Sequence, residues 1–179
     1  MLNKLDFITP TLLKVLYMFH EKPREELHER EVVRRTGISE GSANKILRKL
    51  SEVEVLERNK KGRMVFYKLN MKSAVARQFK ILFNIYSLNK LVNEIKQDSK
   101  KVILFGSCAE GTDTEESDID LFILTKEKNT VGSKINSYQG TDRRIALIIV
   151  NSNEFVQLRK RDKPLYERVL KGIVMWENE

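Results

Sequence analysis

Residues 102–124, VILFGSCAEGTDTEESDIDLFIL, constrain the fold of this chain more than any other stretch. Val102 to Phe105 and Leu121 to Leu124 are short apolar runs rich in β-branched and aromatic residues, and each reads as a buried strand. Between them, Gly106-Ser107 opens a segment of small residues. Backbone N–H groups presented there, with no Cβ at Gly106 to block close approach, are what a polyphosphate needs. Asp118 and Asp120 stand two apart on a segment entering a strand. Period-2 geometry points both carboxylates to one face while Ile119 and Leu121 enter the core. Two carboxylates on one face repel unless a cation lies between them, and oxygen-only ligands suit Mg²⁺ (or Mn²⁺) that also holds substrate phosphates. Each piece alone has a plainer reading: Gly-Ser is a common turn, and Asp-x-Asp pairs occur on exposed strand ends.

The conjunction is what carries information. Gly106-Ser107, the ten residues Cys108 to Ser117, and Asp118-x-Asp120 resemble the signature of the minimal nucleotidyltransferases, small relatives of the DNA polymerase β superfamily. Ala109, Gly111 and Ser117 also fit that signature, GSxAxGxxxxxSDxDL. The resemblance implies transfer of a nucleoside monophosphate from ATP or another nucleotide triphosphate to a hydroxyl. Gly106 and Ser107 would cradle the β and γ phosphates, and Asp118 and Asp120 would ligate the metal as the catalytic carboxylates. Members of the family act on partner proteins, and some serve as antitoxins that adenylylate a helical HEPN-type toxin. The family also carries a third carboxylate on the following strand, completing a two-metal site. In RRIALIIV, residues 143–150, that place is Ala146. Asp142 shares its strand parity but would lie about 13 Å away. Asp113, Glu115 and Glu116 read as solvated loop charges, and Cys108 as a small packing residue.

Composition narrows the setting. The chain has 179 residues, with room for one ordinary domain or two small ones. No apolar run is long enough for a membrane span, and MLNKLDFITP has no apolar signal core, so a cytoplasmic protein is expected. Cys108 is the one cysteine, and His20 and His28 are isolated, so no zinc-type cluster is present in the sequence. The net charge of +8 is unevenly placed. Residues 1–99 hold 20 basic against 12 acidic residues, and residues 100–179 hold 13 against 13. An excess confined to one half suggests that this half meets a polyanion.

That half has its own organisation. Thr9-Pro10 is an N-cap followed by proline at the first helical position, and Leu12, Leu13, Leu16 and Phe19 recur along one helical face. A second helix is expected over 28–36, burying Val32 and Val33. Gly37 then makes a tight turn, and Ser39 caps a third helix with Ala43, Ile46, Leu47 and Leu50 inward. Val53 to Glu57 and Met64 to Leu69 read as a hairpin, with a turn at Asn59 to Gly62 and Arg58, Lys60, Lys61 and Arg63 at its tip. Residues 30–69 resemble the winged helix-turn-helix DNA-binding domains of bacterial and archaeal regulators. Ser39, Ser42, Asn44, Lys45 and Arg48 would then face the major groove of double-stranded DNA, with Lys45, Lys49 and the hairpin cations on phosphate.

Residues 73–97 hold no Pro or Gly and form a long helix with Val75, Phe79, Leu82, Phe83, Tyr86, Leu91, Val92 and Ile95 on a stripe that must be buried, on the sheet or against its copy in a homodimer. The expected order is a winged helix-turn-helix domain at 1–70, a connecting helix at 71–98, and an α+β nucleotidyltransferase domain with a mixed sheet at 99–179. A rival reading is a transcription regulator whose second domain senses nucleotide or dimerises without turnover.

Overall fold

The computed structural model describes residues 8–178; most of the stretch read for a signal core, residues 1–7, lies outside them. The chain divides into two compact units, Met1–Lys80 and Ile81–Glu179.

In the first unit, helix α1 (Pro10–Glu21) is capped by Thr9, whose hydroxyl accepts from the Leu12 N–H at 3.2 Å. Strand β1 (Leu27–His28) leads into α2 (Glu29–Thr36), which ends at Gly37 with φ +67°. Helix α3 (Glu40–Glu52) starts at the Ser39 cap, and β2 (Leu56–Lys61) and β3 (Met64–Leu69) form a hairpin. The antiparallel sheet runs β1-β3-β2. Leu12, Val15, Leu16, Phe19, Val32, Ala43, Leu47 and Leu50 are fully or nearly fully buried, and each large side chain among them contributes about 1.5–3 kcal/mol. Val33 is only half-buried.

The hairpin corrects the sequence expectation. Residues 53–55 are the exit from α3: Glu54 takes φ +56° and the Val55 N–H returns to the Leu50 carbonyl. The strand therefore begins three residues later, and the ladder from Leu56↔Leu69 to Lys61↔Met64 leaves only Gly62-Arg63 as the turn. Arg58 and Lys60 stand within the ladder, opposite Tyr67 and Val65, and not at the tip.

Helix α4 (Ala74–Ile95) matches the long helix, but its apolar residues do not share one fate. Leu88, Leu91, Val92 and Ile95 pack on the sheet of the second unit, whereas Val75, Leu82 and Tyr86 are exposed. The burying face is thus set by 88, 91, 92 and 95, a spacing that turns Leu82 and Tyr86 outward.

The second unit is α+β with a mixed sheet. Its elements are β4 (Lys101–Phe105), α5 (Ser107–Glu110), β5 (Ile119–Leu124), α6 (Lys128–Asn136), β6 (Ile145–Val150), α7 (Ser152–Arg161), α8 (Lys163–Leu170) and β7 (Ile173–Glu177). The sheet order is β6-β5-β4-β7, with β5 and β6 parallel and the other pairs antiparallel. One face, with Val102, Leu104, Ile119, Leu121 and Ile123, is covered by α4, α5 and α6. The other, with Ile103, Phe105, Phe122, Leu124 and Ile148, is covered by α7 and α8. Strand alternation places Asp120 and Ala146 on this second face, beyond the end of its apolar cover.

Candidate functional site

The site begins where β4 ends. Gly106 takes φ +66°, ψ −153°, a backbone conformation that side chains disfavour. Its bare α-carbon faces Asp120: a Cβ built there would stand 2.2 Å from Oδ2 and 3.2 Å from Cγ. Glycine is required on both counts. The cause is the register, since Phe105 pairs with Asp120 and the next residue turns directly across the carboxylate. Ser107 and Cys108 open the single turn of α5, so their N–H groups have no carbonyl within that helix. Gly111, at φ +68°, ends the turn.

Asp118 lies one residue ahead of β5, its side chain 42% exposed, and Asp120 is half-buried within the strand. Burial pushes the Asp120 carboxyl above its usual value; Arg168 pulls it back, and the charge of Asp118 adds to the rise. Arg144 approaches Asp118, Nη1 to Oδ2 at 3.7 Å, as an ion pair too long to be a hydrogen bond. Asp120 and Ala146 are direct register partners. A methyl group therefore stands where a third carboxylate would face the pair.

Behind the site is a buried polar network that sequence reasoning missed. Arg143 donates through Nη1 to Asp113 Oδ2 at 2.9 Å, through Nε to the Ser117 carbonyl at 2.9 Å, and through Nη2 to Cys108 Sγ at 3.0 Å. Asn84 donates to Asp113 Oδ1 and to the Cys108 carbonyl, both at 3.0 Å. Asp113 is 1% exposed, which corrects its reading as a solvated loop charge: an acid with a guanidinium and an amide on its two oxygens is stable inside. One guanidinium thus ties the turn of α5 to the segment that carries Asp118. Cys108 is buried, as a packing residue should be, and also lies against Arg143. A polar Asn84 inside ILFNIYSL was the available signal; nothing local marked Arg143, Arg144 or Arg168.

The residues expected on DNA divide into free and committed groups. Ser39 caps α3, accepting from the Ser42 N–H at 3.3 Å and donating to the Ser42 hydroxyl at 2.9 Å. Asn44 donates to Glu29 at 2.9 Å, Lys49 pairs with Glu52 at 3.6 Å, and Lys61 binds Glu26. Among the described residues, Lys45, Arg48, Arg58, Lys60 and Arg63 make no side-chain ion pair. Asn44, Arg48 and Arg58 line one cleft between α3 and the hairpin, with Glu29, Val65 and Tyr67. The Arg58 that the ladder removed from the tip is thereby placed beside Arg48. Lys45 and Lys49 line a second cleft, with Thr9 and Thr11.

The sequence profile described as polymerase beta, nucleotidyltransferase matches residues 87–179. The chain belongs to this nucleotidyltransferase family. No curated protein matches it in sequence. Among solved structures it is similar to a candidate nucleotidyltransferase from Sulfolobus solfataricus, at 18% identity and a TM-score of 0.39, covering 61% of this chain and 94% of that one. It is also similar to TrmBL2, an archaeal chromatin protein whose structure shows a novel mode of DNA binding, at 11% identity and a TM-score of 0.29, covering 86% and 68%. At these scores neither likeness places an element of the fold.

The nucleotidyltransferase family implies a divalent cation and a nucleotide, and the donor set can be tested against them. Two neighbouring carboxylates, one of them filling the space that a Cβ on the loop glycine would need, suit a single oxygen-liganded cation shared with a phosphate. They do not supply a two-metal site, because Ala146 offers no ligand. Among the described residues no group of three His, Cys, Asp or Glu side chains is arranged to hold a metal ion. No described helix is long and apolar enough to cross a membrane.

Proposed function

We propose that the chain transfers a nucleoside monophosphate from a nucleotide triphosphate, ATP first, to a hydroxyl on a partner macromolecule. The observation that carries this reading is the contact between Gly106 and Asp120. A loop that requires glycine because a carboxylate occupies the Cβ position puts a phosphate cradle and a metal ligand at one point. Asp118 and Asp120 would hold Mg²⁺ or Mn²⁺, which when bound neutralises charge on the triphosphate. Gly106 and Ser107 would receive the β and γ phosphates. The acceptor oxygen bonds to the α phosphorus, the bond to the β-phosphate oxygen breaks, and pyrophosphate leaves. With Ala146 in place of an acid, the hydroxyl proton passes to water, so turnover is slow.

The first unit serves as a winged helix-turn-helix module for double-stranded DNA, with α3 as the reading helix and the hairpin as the wing. Arg48 and Arg58 beside one cleft, and Lys45 beside another, support this use. A homodimer would present two such modules to half-sites. A HEPN-type toxin is one class of acceptor, and fusion to a DNA-binding unit suits a protein that also regulates its own operon in the cytoplasm.

Purified protein incubated with α-³²P-labelled ATP and Mg²⁺ or Mn²⁺, with and without lysate of the source cells, tests the reading. Label on a macromolecule with the wild type, and none with Asp118→Ala/Asp120→Ala, is expected. The methyl group of Ala146 beside Asp120 favours one rival, a regulator that binds nucleotide without turnover. It would show ATP binding and promoter binding that responds to Mg-ATP, with no pyrophosphate released.

A further inference from the structure

We propose that Arg168 is a phosphate-binding residue of the nucleotide site, gripping the phosphates beyond the α position, with Arg144 flanking the opposite carboxylate; this rests on the nucleotide-binding reading above. Helix α8 carries Arg168. Asp162 caps it, its side chain accepting from the Leu165 N–H at 3.0 Å, and Val169 is fully buried against Ile103, Phe105 and Phe122. Two residues past the helix, the Gly172 N–H returns to the Val169 carbonyl at 3.0 Å. A Cβ at Gly172 would stand 2.6 Å from the Leu104 carbonyl oxygen and 2.9 Å from Phe105 Cβ. Only glycine lets the end of α8 lie this close over β4.

This docking decides where the residue before Val169 points. Arg168 is exposed, and its Cζ lies 5.6 Å from the centre of the Phe105 ring, close enough for a cation–π contact. Phe105 is the register partner of Asp120 and the residue before Gly106. The guanidinium therefore stands over the strand end that leads into the glycine loop and pairs with Asp120. Yet it makes no ion pair with Asp120 within 4.0 Å among the described residues, and Arg144 reaches Asp118 only at 3.7 Å. Elsewhere in this chain structural arginines close on their acids: Arg143 on Asp113 at 2.9 Å, Arg35 on Glu25 at 2.6 Å. Here guanidinium groups from α8 and from the residue ahead of β6 stand near the two carboxylates with donors unspent.

A planar fork of donors is the side chain suited to phosphate oxygens. Asp120 and Ala146 belong to one sheet face, Asp118 and Arg144 pair just ahead of the same strands, and Arg168 enters over that face from α8. The site thus has two carboxylates and two guanidinium groups around the glycine loop.

The test is calorimetric titration of the full chain with ATP and, separately, AMP, each with Mg²⁺, for the wild type and for Arg168→Gln, Arg168→Lys and Arg161→Gln. Arg168→Gln keeps a stem over Phe105, and an unchanged melting temperature confirms the fold. The expected result is about tenfold or greater weakening for ATP in Arg168→Gln, an AMP affinity within twofold of wild type, and partial recovery in Arg168→Lys. Arg161→Gln, which removes a charge at the end of α7, is expected to leave both unchanged. ATP affinity preserved in Arg168→Gln overturns the proposal while leaving nucleotide binding intact. Equal losses for ATP and AMP, or an equal loss in Arg161→Gln, overturn it as unspecific electrostatics. A wild type that binds neither nucleotide defeats the nucleotide-binding reading and the proposal with it.

Discussion

The two units of this chain handle charge in opposite ways. In the second, Asp113 is sealed in the interior with Arg143 and Asn84 on its two oxygens, and the network fixes a turn that itself carries no charge to the site. In the first, Glu25 and Glu31 hold Arg35 between them at 2.6 Å on the surface, and Glu26, Glu29 and Glu52 engage Lys61, Asn44 and Lys49. A buried pair costs desolvation but leaves one geometry; exposed pairs cost little and exchange readily for another anion. Catalysis on a phosphate needs the first kind of support, and a surface that meets DNA phosphates can work with the second.

The largest effect should come from breaking the buried side. Arg143→Ala takes the guanidinium from the buried Asp113 carboxylate and is expected to cost about 3–5 kcal/mol, measured by urea unfolding of the full chain. A loss below about 1 kcal/mol would mean that Asp113 is less enclosed than its 1% exposure indicates. Gly106→Ala follows. The positive φ and the clash with Asp120 should cost about 1–3 kcal/mol and abolish both ATP binding and label transfer. Wild-type transfer by this variant would detach the loop from the chemistry.

Ala146→Asp sharpens the comparison from the other direction, by adding a third acid beside Asp120. Titration with Mn²⁺ should show affinity raised about tenfold, roughly 1.4 kcal/mol, and transfer should quicken. Unchanged affinity would show that Asp118 and Asp120 do not form the metal site.

In the exposed unit the effects are smaller. Arg48→Ala should weaken promoter binding and reduce the slope of log K against log salt by about one. An unaltered slope would place the DNA elsewhere. Least of all, Glu31 is held at a pKa of about 2 by hydrogen bonds from Arg34 and Arg35, below the ordinary 4.5. Its contribution to stability is therefore full above pH 4.5 and lost as pH falls towards 2. Glu31→Gln should lower the melting temperature slightly near neutrality and flatten its fall in that window, so that the two profiles converge near pH 2.

What could be read without the structure was local. The caps at Thr9, Ser39 and Gly37 and the strands around Gly106 and Asp118 follow from short-range rules, because a cap or a period needs only its neighbours. The hairpin expectation failed at its start because Glu54 adopted a positive φ that few residues prefer, so the strand begins at Leu56, three residues later than the β-branched residues implied. The stripe on α4 misled for a related reason. Periodicity tells which residues share a face but not which face meets a partner, and Tyr86 is left 75% exposed.

The spacing from Gly106 to Asp120 was legible in the sequence, and so was the alanine where an acid was expected. Only tertiary structure brought the α-carbon of Gly106 against the Asp120 carboxylate, enclosed Asp113, and laid Arg168 over Phe105 from a helix nearly fifty residues downstream of Asp120. The physical reason is range. Backbone preference and side-chain period act over a few residues, whereas pairing a charge or placing a guanidinium depends on which distant element closes the space around it.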